Sequence, residues 1–184
     1  QNFRRNARKC HAGLIKMIQV ITSKHSKVLS LRQDLSYLAA KPDSGRKHPS
    51  SREAKVHLAK FLEHLRRKTG LKVVGYCWVM EYAPTTGCHF HFWLFLNGHH
   101  HQDALRIGYL LGAAWSRITD GEGRDFLCNR NQKRYAHLAV GMLHRESLDW
   151  VGIEHTAAYI THPDYYLRYH PKDGGRTFGR AIMP

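Results

Sequence analysis

Residues 71–97 read LKVVGYCWVMEYAPTTGCHFHFWLFLN, two runs rich in apolar, aromatic and β-branched residues on either side of Ala83-Pro84-Thr85-Thr86-Gly87. A five-residue connection holding Pro and Gly between two such runs specifies a turn, so the stretch reads as an antiparallel hairpin. Side chains alternate across a strand. His89 and His91 therefore share one face, and Cys88 and Phe90 take the other. Glu81 lies across the turn from His89, where opposed residues have Cβ atoms about 5 Å apart.

Working outward, residues 27–37 carry Val28-Leu29-Ser30-Leu31 and Asp34-Leu35-Ser36-Tyr37, the composition of a first strand. Residues 40–51, with Pro42, Gly45 and Pro49 among charges, read as a loop. Ser50 or Ser51 then caps a helix whose Ala54, Leu58, Phe61, Leu62 and Leu65 form one apolar stripe, ended by Gly70. Asp103 starts another helix, with Ala104, Ile107, Leu111, Ala114, Trp115 and Ile118 on one side and Asp120-Gly121 as its stop. Before the first strand, Leu14, Ile15, Met17, Ile18 and Ile21 predict a helix ending near Thr22-Ser23. Residues 135–143 fit strand or helix, residues 148–161 read as helical until Pro163, and a Gly-rich irregular tail follows. The order strand, helix, hairpin, helix, strand, helix is that of an α+β layer, an antiparallel sheet covered by helices. Residues 1–26 are expected to form a basic N-terminal arm and helix, and residues 27–184 a single domain.

The 184 residues suffice for one domain with its own core. The longest uncharged apolar run, residues 90–96, is far short of the roughly 20 that span a bilayer, so no membrane span is expected. The start Gln1-Asn2-Phe3-Arg4-Arg5 has no apolar stretch or cleavage site behind it, so no secretory leader is expected there. A first residue other than Met suggests an excised piece. Against 14 Asp and Glu stand 29 Lys and Arg, a net charge of +15 before any of the 15 His titrate. That balance calls for an anionic partner, of which nucleic acid is the usual one, an anionic membrane surface being the other. The hydrophobic share of 42%, with 11% aromatics, argues against a merely disordered basic tail. Cys10, Cys77, Cys88 and Cys128 show no CxxC pair or framework spacing, which fits a reducing cytoplasm. The absence of a Gly-rich loop followed by Lys and Ser/Thr speaks against nucleotide phosphotransfer.

The candidate chemistry gathers on the hairpin. With 15 His, a His-x-His pair is expected about once by chance, so context carries the case. Two imidazoles and the Glu81 carboxylate converging on one face make an N/O site suited to Mn²⁺, or to Mg²⁺ held with phosphate oxygens; packed histidines and a cross-strand salt bridge are the alternative. Asp34 is a further ligand or a partner of one. Zinc on Cys88 with Cys77 or Cys128 is disfavoured, because Cys88 faces away from the histidines and buried thiols are the commoner fate. On the predicted last helix Tyr159 precedes His162 by one turn. A phenol can attack a phosphodiester, but a pKa near 10 leaves about 0.1% phenolate at pH 7, so it needs a metal beside it. A core or interface role is the alternative for Tyr159, and Tyr165, Tyr166 and Tyr169 are rivals. Arg52, Lys55, Arg66, Arg67 and Lys68 on one helix, with Arg4 and Arg5 in the N-terminal arm, are candidate phosphate contacts. Trp78, Tyr82, Trp93 and Trp115 are candidates for base stacking or for the core.

Glu81, then His89-Phe90-His91 inside an apolar strand, then a helical Tyr159, resemble the HUH endonuclease superfamily of single-tyrosine type. The segment 27–37, Met80-Glu81-Tyr82, Gly87-Cys88-His89-Phe90-His91, Leu94-Phe95-Leu96-Asn97-Gly98, Ala113-Ala114-Trp115 and Arg176-Thr177-Phe178-Gly179 look more narrowly like inovirus-type replication initiators, also encoded by prophages and satellite elements. The resemblance implies a five-stranded antiparallel sheet with flanking helices, the histidines on a central strand. It also implies metal-dependent nicking of single-stranded DNA, with Mn²⁺ or Mg²⁺ as cofactor. His89, His91 and Glu81 would be metal ligands and Tyr159 the nucleophile, which becomes linked to the 5′ phosphate while a 3′ hydroxyl primes rolling-circle replication. Partners would be origin DNA, including hairpins, and host helicase and polymerase, in the cytoplasm of a bacterium carrying a phage or mobile element. The chain departs from the family where a Lys or Gln commonly follows the tyrosine by a turn. His162 stands there, able to hydrogen-bond a phosphate or ligate metal. A non-catalytic single-stranded nucleic-acid binder of the same fold is the alternative function.

Overall fold

The most apolar strand, β3 (Gly87–Asn97), is buried on both faces almost end to end, so the sheet and its helices must enclose it. The computed structural model describes residues 2–39, 47–83, 87–162 and 176–183. Around β3 run α1 (Asn2–Lys24), β1 (Lys27–Tyr37), α2 (Ser51–Arg67), β2 (Val73–Ala83), α3 (Ala104–Ile118), β4 (Gly123–Leu127), β5 (Gly141–His144), α4 (Trp150–Ile160) and β6 (Phe178–Ile182). A 3₁₀ segment, Cys128–Arg134, joins β4 to the chain leading into β5.

The fold is α+β, an open antiparallel sheet flanked by helices. β3 pairs with β2 on one side and β1 on the other, and β6 lies outside β2. The outer edge of β1 is shared, with β5 beside Lys27 to Ser30 and β4 beside Gln33 to Tyr37. Among the described residues six strands thus occupy five positions. In β2 and β3 Glu81 is opposite His89, as the hairpin reading expects, and in β1 Asp34 is opposite His91. Gly87 opens β3 at φ +70, with the His48 ring lying where a side chain would stand.

Alternation divides the sheet between two cores. Leu29, Leu31, Leu35, Phe90, Phe92 and Leu94 pack under α2 and α3, where Phe61 and Trp115 are fully buried. Cys77, Val79, Trp93 and Phe95 pack under α1 and α4, against Leu14, Ile18, Ile153 and Ala157. Three layers result, helix pair, sheet and helix pair. α2 begins in a full capping box, the Ser50 hydroxyl accepting from the Glu53 amide and the Glu53 carboxylate accepting from the Ser50 amide. Asp103 and Asp149 cap α3 and α4.

Several expectations change. The basic residues before Leu14 are already helical, α1 starting at Asn2 with Ala7 buried. Residues 178–182, read as part of an irregular tail, pair with β2, and β4 had no sequence signal. Within 135–143 only the last three residues are strand. α4 ends at Ile160 with Thr161 as its cap, so His162 lies past the helix rather than on its face. Tyr165, Tyr166 and Tyr169 fall outside the described residues.

Candidate metal centre

Three adjacent strands bring Glu81, His89, His91 and Asp34 onto the α1/α4 face, because each lies at an alternate position of its own strand. Glu81 and His91 are buried and His89 half-buried. The same Glu81 Oε2 lies 2.9 Å from His89 Nε2 and 3.1 Å from His91 Nε2, while His91 Nδ1 lies 2.8 Å from Asp34 Oδ1. A carboxylate only accepts hydrogen bonds, so His91 makes both of these bonds by donation only when its ring carries a proton on each nitrogen. Burial opposes that charge, but the bonds to Asp34 and Glu81 outweigh it and raise the His91 pKa. Burial likewise opposes ionisation of Glu81 and Asp34, and the histidines overcome it. Glu81 is lowered to about 2, and Asp34 is held below the usual carboxylate range by His91 and Arg32.

The donor set fits a divalent ion. One ligand atom each from Glu81, His89 and His91 lies within 4.8 Å of the others, the one such group of three among the described residues. Loss of the Nε2 protons would leave two imidazole lone pairs and a carboxylate converging. Asp34 would keep the proton on His91 Nδ1 and so fix the tautomer that offers Nε2, a partner of a ligand rather than a ligand itself.

α4 carries Tyr159 over this group. Ile153, Ala157 and Ile160 bury against the sheet, and the Thr156 hydroxyl accepts from the Ala139 amide at 2.9 Å, tying the helix to the chain before β5. Tyr159 is 43% exposed. Its ring meets His91 edge-on at 5.5 Å between centroids and covers the Arg32 guanidinium at 4.3 Å. Arg32, two residues before Asp34 on β1, is 2% exposed, and one terminal nitrogen lies 3.5 Å from Asp34 Oδ1. Sequence reading passed over it, although a charge inside an apolar strand at i−2 from Asp34 was the available signal.

The other candidates scatter. His162 is exposed and lines an open pocket of about 340 Å³ with Arg4, Arg8 and His11, between α1 and the end of α4. Arg4 and Arg5 are exposed on the first turns of α1, on the same side of the sheet as the triad. Arg52, Lys55, Arg66, Arg67 and Lys68 belong to α2 and its cap on the opposite side; Arg67 pairs with Glu63 at 3.3 Å. Trp93 and Trp115 are fully buried core residues, and Trp78 and Tyr82 are half-buried beside the α2/α3 core. All four cysteines are free, with Cys88 buried on the face away from His89. Burial raises the Cys88 and Cys128 thiols to about 11, and neither belongs to a group of three candidate metal ligands among the described residues. No helix among the described residues is long and apolar enough to cross a membrane. Comparison of the chain with protein-family models, with curated proteins and with solved structures gives no match.

Proposed function

We propose that the chain is a metal-dependent nuclease of the HUH type that nicks and rejoins single-stranded DNA to start rolling-circle replication. The observation that carries the reading is the placement of Tyr159, a half-exposed phenol whose ring lies 5.5 Å from that of His91, one of the three candidate ligands. A bare sheet with a basic surface gives no reason for that convergence.

A divalent ion, Mn²⁺ or Mg²⁺, held by Glu81, His89 and His91 would polarise a scissile phosphate. The chain's own residues do the rest. Glu81 and Asp34 stay ionised at neutral pH, so the ligand set is charged and His91 is oriented before substrate arrives. α4 presents the phenol from the solvent side, where a strand can reach it. The Tyr159 oxygen forms a bond to phosphorus and the bond from phosphorus to the 3′ oxygen of the preceding nucleotide breaks. The electron pair leaves with that oxygen, which takes a proton from water, and the phenol proton passes to water. A 5′ phosphotyrosine and a free 3′ hydroxyl result, and the hydroxyl can prime a polymerase. Joining is the reverse. The closed set of hydrogen bonds around Glu81 favours a second reading, a single-stranded nucleic-acid binder in which the triad only braces the sheet.

The test is incubation with a labelled single-stranded DNA pool and Mn²⁺, followed by denaturing gel and peptide mass spectrometry. A nucleotide adduct on Tyr159, absent with EDTA and absent in Tyr159→Phe, is the expected result. Salt-sensitive retention of DNA with no adduct on any residue would sink the nuclease and leave the binder.

A further inference from the structure

Arg32 is the least expected side chain in the molecule. It sits in the middle of β1, 2% exposed, where burial of a guanidinium demands compensation in full. Its one ion pair among the described residues is long, 3.5 Å to Asp34 Oδ1, and that same oxygen lies 2.8 Å from His91 Nδ1. Arg32 Nε is buried and makes no hydrogen bond among the described residues. Asp34 therefore does not account for the burial of this charge. What covers the guanidinium is aromatic: the Tyr159 ring at 4.3 Å and the Tyr135 ring at 6.0 Å.

The backbone beneath is clamped. Between the stretches of β1 that pair with β5 and β4, the Arg32 amide donates to Asn129 Oδ1 at 2.9 Å and Asn129 Nδ2 donates to the Ser30 carbonyl at 3.0 Å. Ser30 in turn donates to the Ala139 carbonyl and accepts from Trp93 Nε1. A rigid strand thus presents a fixed cation to a ring carried on a half-exposed helix position.

We propose that Arg32 is the positioning residue of Tyr159, holding its phenol on the triad side of α4 and setting a permanent positive charge beneath it. The inference rests on the reading of Tyr159 as nucleophile and names the partner of that residue. A Tyr on a helix surface samples several rotamers, and a cation held against its face selects one. Preselection of the attacking geometry raises the rate of the chemical step without touching substrate affinity. Arg32 forms and breaks no covalent bond itself.

The experiment compares wild type, Arg32→Met and Arg32→Lys on an oligonucleotide that the wild type cleaves. Single-turnover adduct formation and oligonucleotide affinity in EDTA are measured side by side. Arg32→Met is expected to slow adduct formation by about 100-fold with affinity unchanged, and Arg32→Lys to recover much of that loss. Equal loss of affinity and rate with no recovery by Lys, or no loss at all, would overturn the role while leaving the nuclease intact. No adduct with wild type removes the nuclease reading and this role with it. Because Arg32→Met could fail to fold, a second arm uses the half-exposed Tyr159→Leu. The Nε–H resonance of Arg32 should lose its ring-current shift, and an unmoved resonance would show that the ring does not cover the guanidinium.

Discussion

Each ring nitrogen of His91 lies at hydrogen-bond distance from a carboxylate, and this gives the site a definite pH signature. Glu81, lowered to about 2, and Asp34, also lowered, contribute stability that is present above an unfolded carboxylate pKa of about 4 and lost as pH falls through the folded values. The His91 pKa is raised, so its contribution is full below about 6.5 and lost as pH rises through the folded value. Without metal, the site should therefore stabilise the protein most between about pH 4.5 and 6.5, which thermal melts in EDTA across pH 3 to 8 would check. Added Mn²⁺ should reverse the upper limb, because an ion competes with the Nε2 proton and binds better as that proton leaves. The Mn²⁺-induced rise in Tm should grow with pH and vanish in Glu81→Gln; a pH-independent rise that survives the substitution would place the ion elsewhere.

At the scale of elements, α2 tests how much of the fold rests on a start signal and how much on a face. Phe61 is fully buried, edge-on to Phe92 at 5.4 Å and to Trp115 at 5.8 Å between centroids. Phe61→Ala should cost about 3 to 5 kcal/mol by urea unfolding, against about 1 for Ser50→Ala at the cap. Near-equal losses would mean that α2 is held by its end and not by its stripe. The apolar stripe, Gly70 and the capping serine made this helix legible in the sequence. β4 and β6 were not legible: each is five residues long, with too few alternations to show a period, and each is a strand because a longer neighbour offers an edge.

Over the whole molecule the charge of +15 is divided by the sheet, with Arg4, Arg5 and Arg8 of α1 on the triad side and the basic residues of α2 on the other. A strand threaded past Tyr159 meets the first group. Arg4→Ala with Arg8→Ala should flatten the log–log salt dependence of single-stranded DNA binding by about 0.7 for each phosphate that is no longer neutralised, whereas Arg66→Ala with Arg67→Ala should leave it nearly unchanged. Equal flattening by both pairs would mean that the strand wraps both faces. The sequence showed the charge but not its division, since each helix turns its stripe toward the sheet without revealing which side it covers.

The sequence by itself determined the hairpin, the register that opposes Glu81 to His89, and the shared face of His89 and His91. Those follow from a two-residue period and a five-residue turn, both local sterics. Only the tertiary structure decided that Asp34 reaches His91, that Arg32 is buried, and that Tyr159 lies over both. Those contacts join β1, β3 and α4 across long stretches of chain, and they are set by which helix covers which face of the sheet. That choice is made by the packing of two apolar cores at once, and no periodicity within one segment records it.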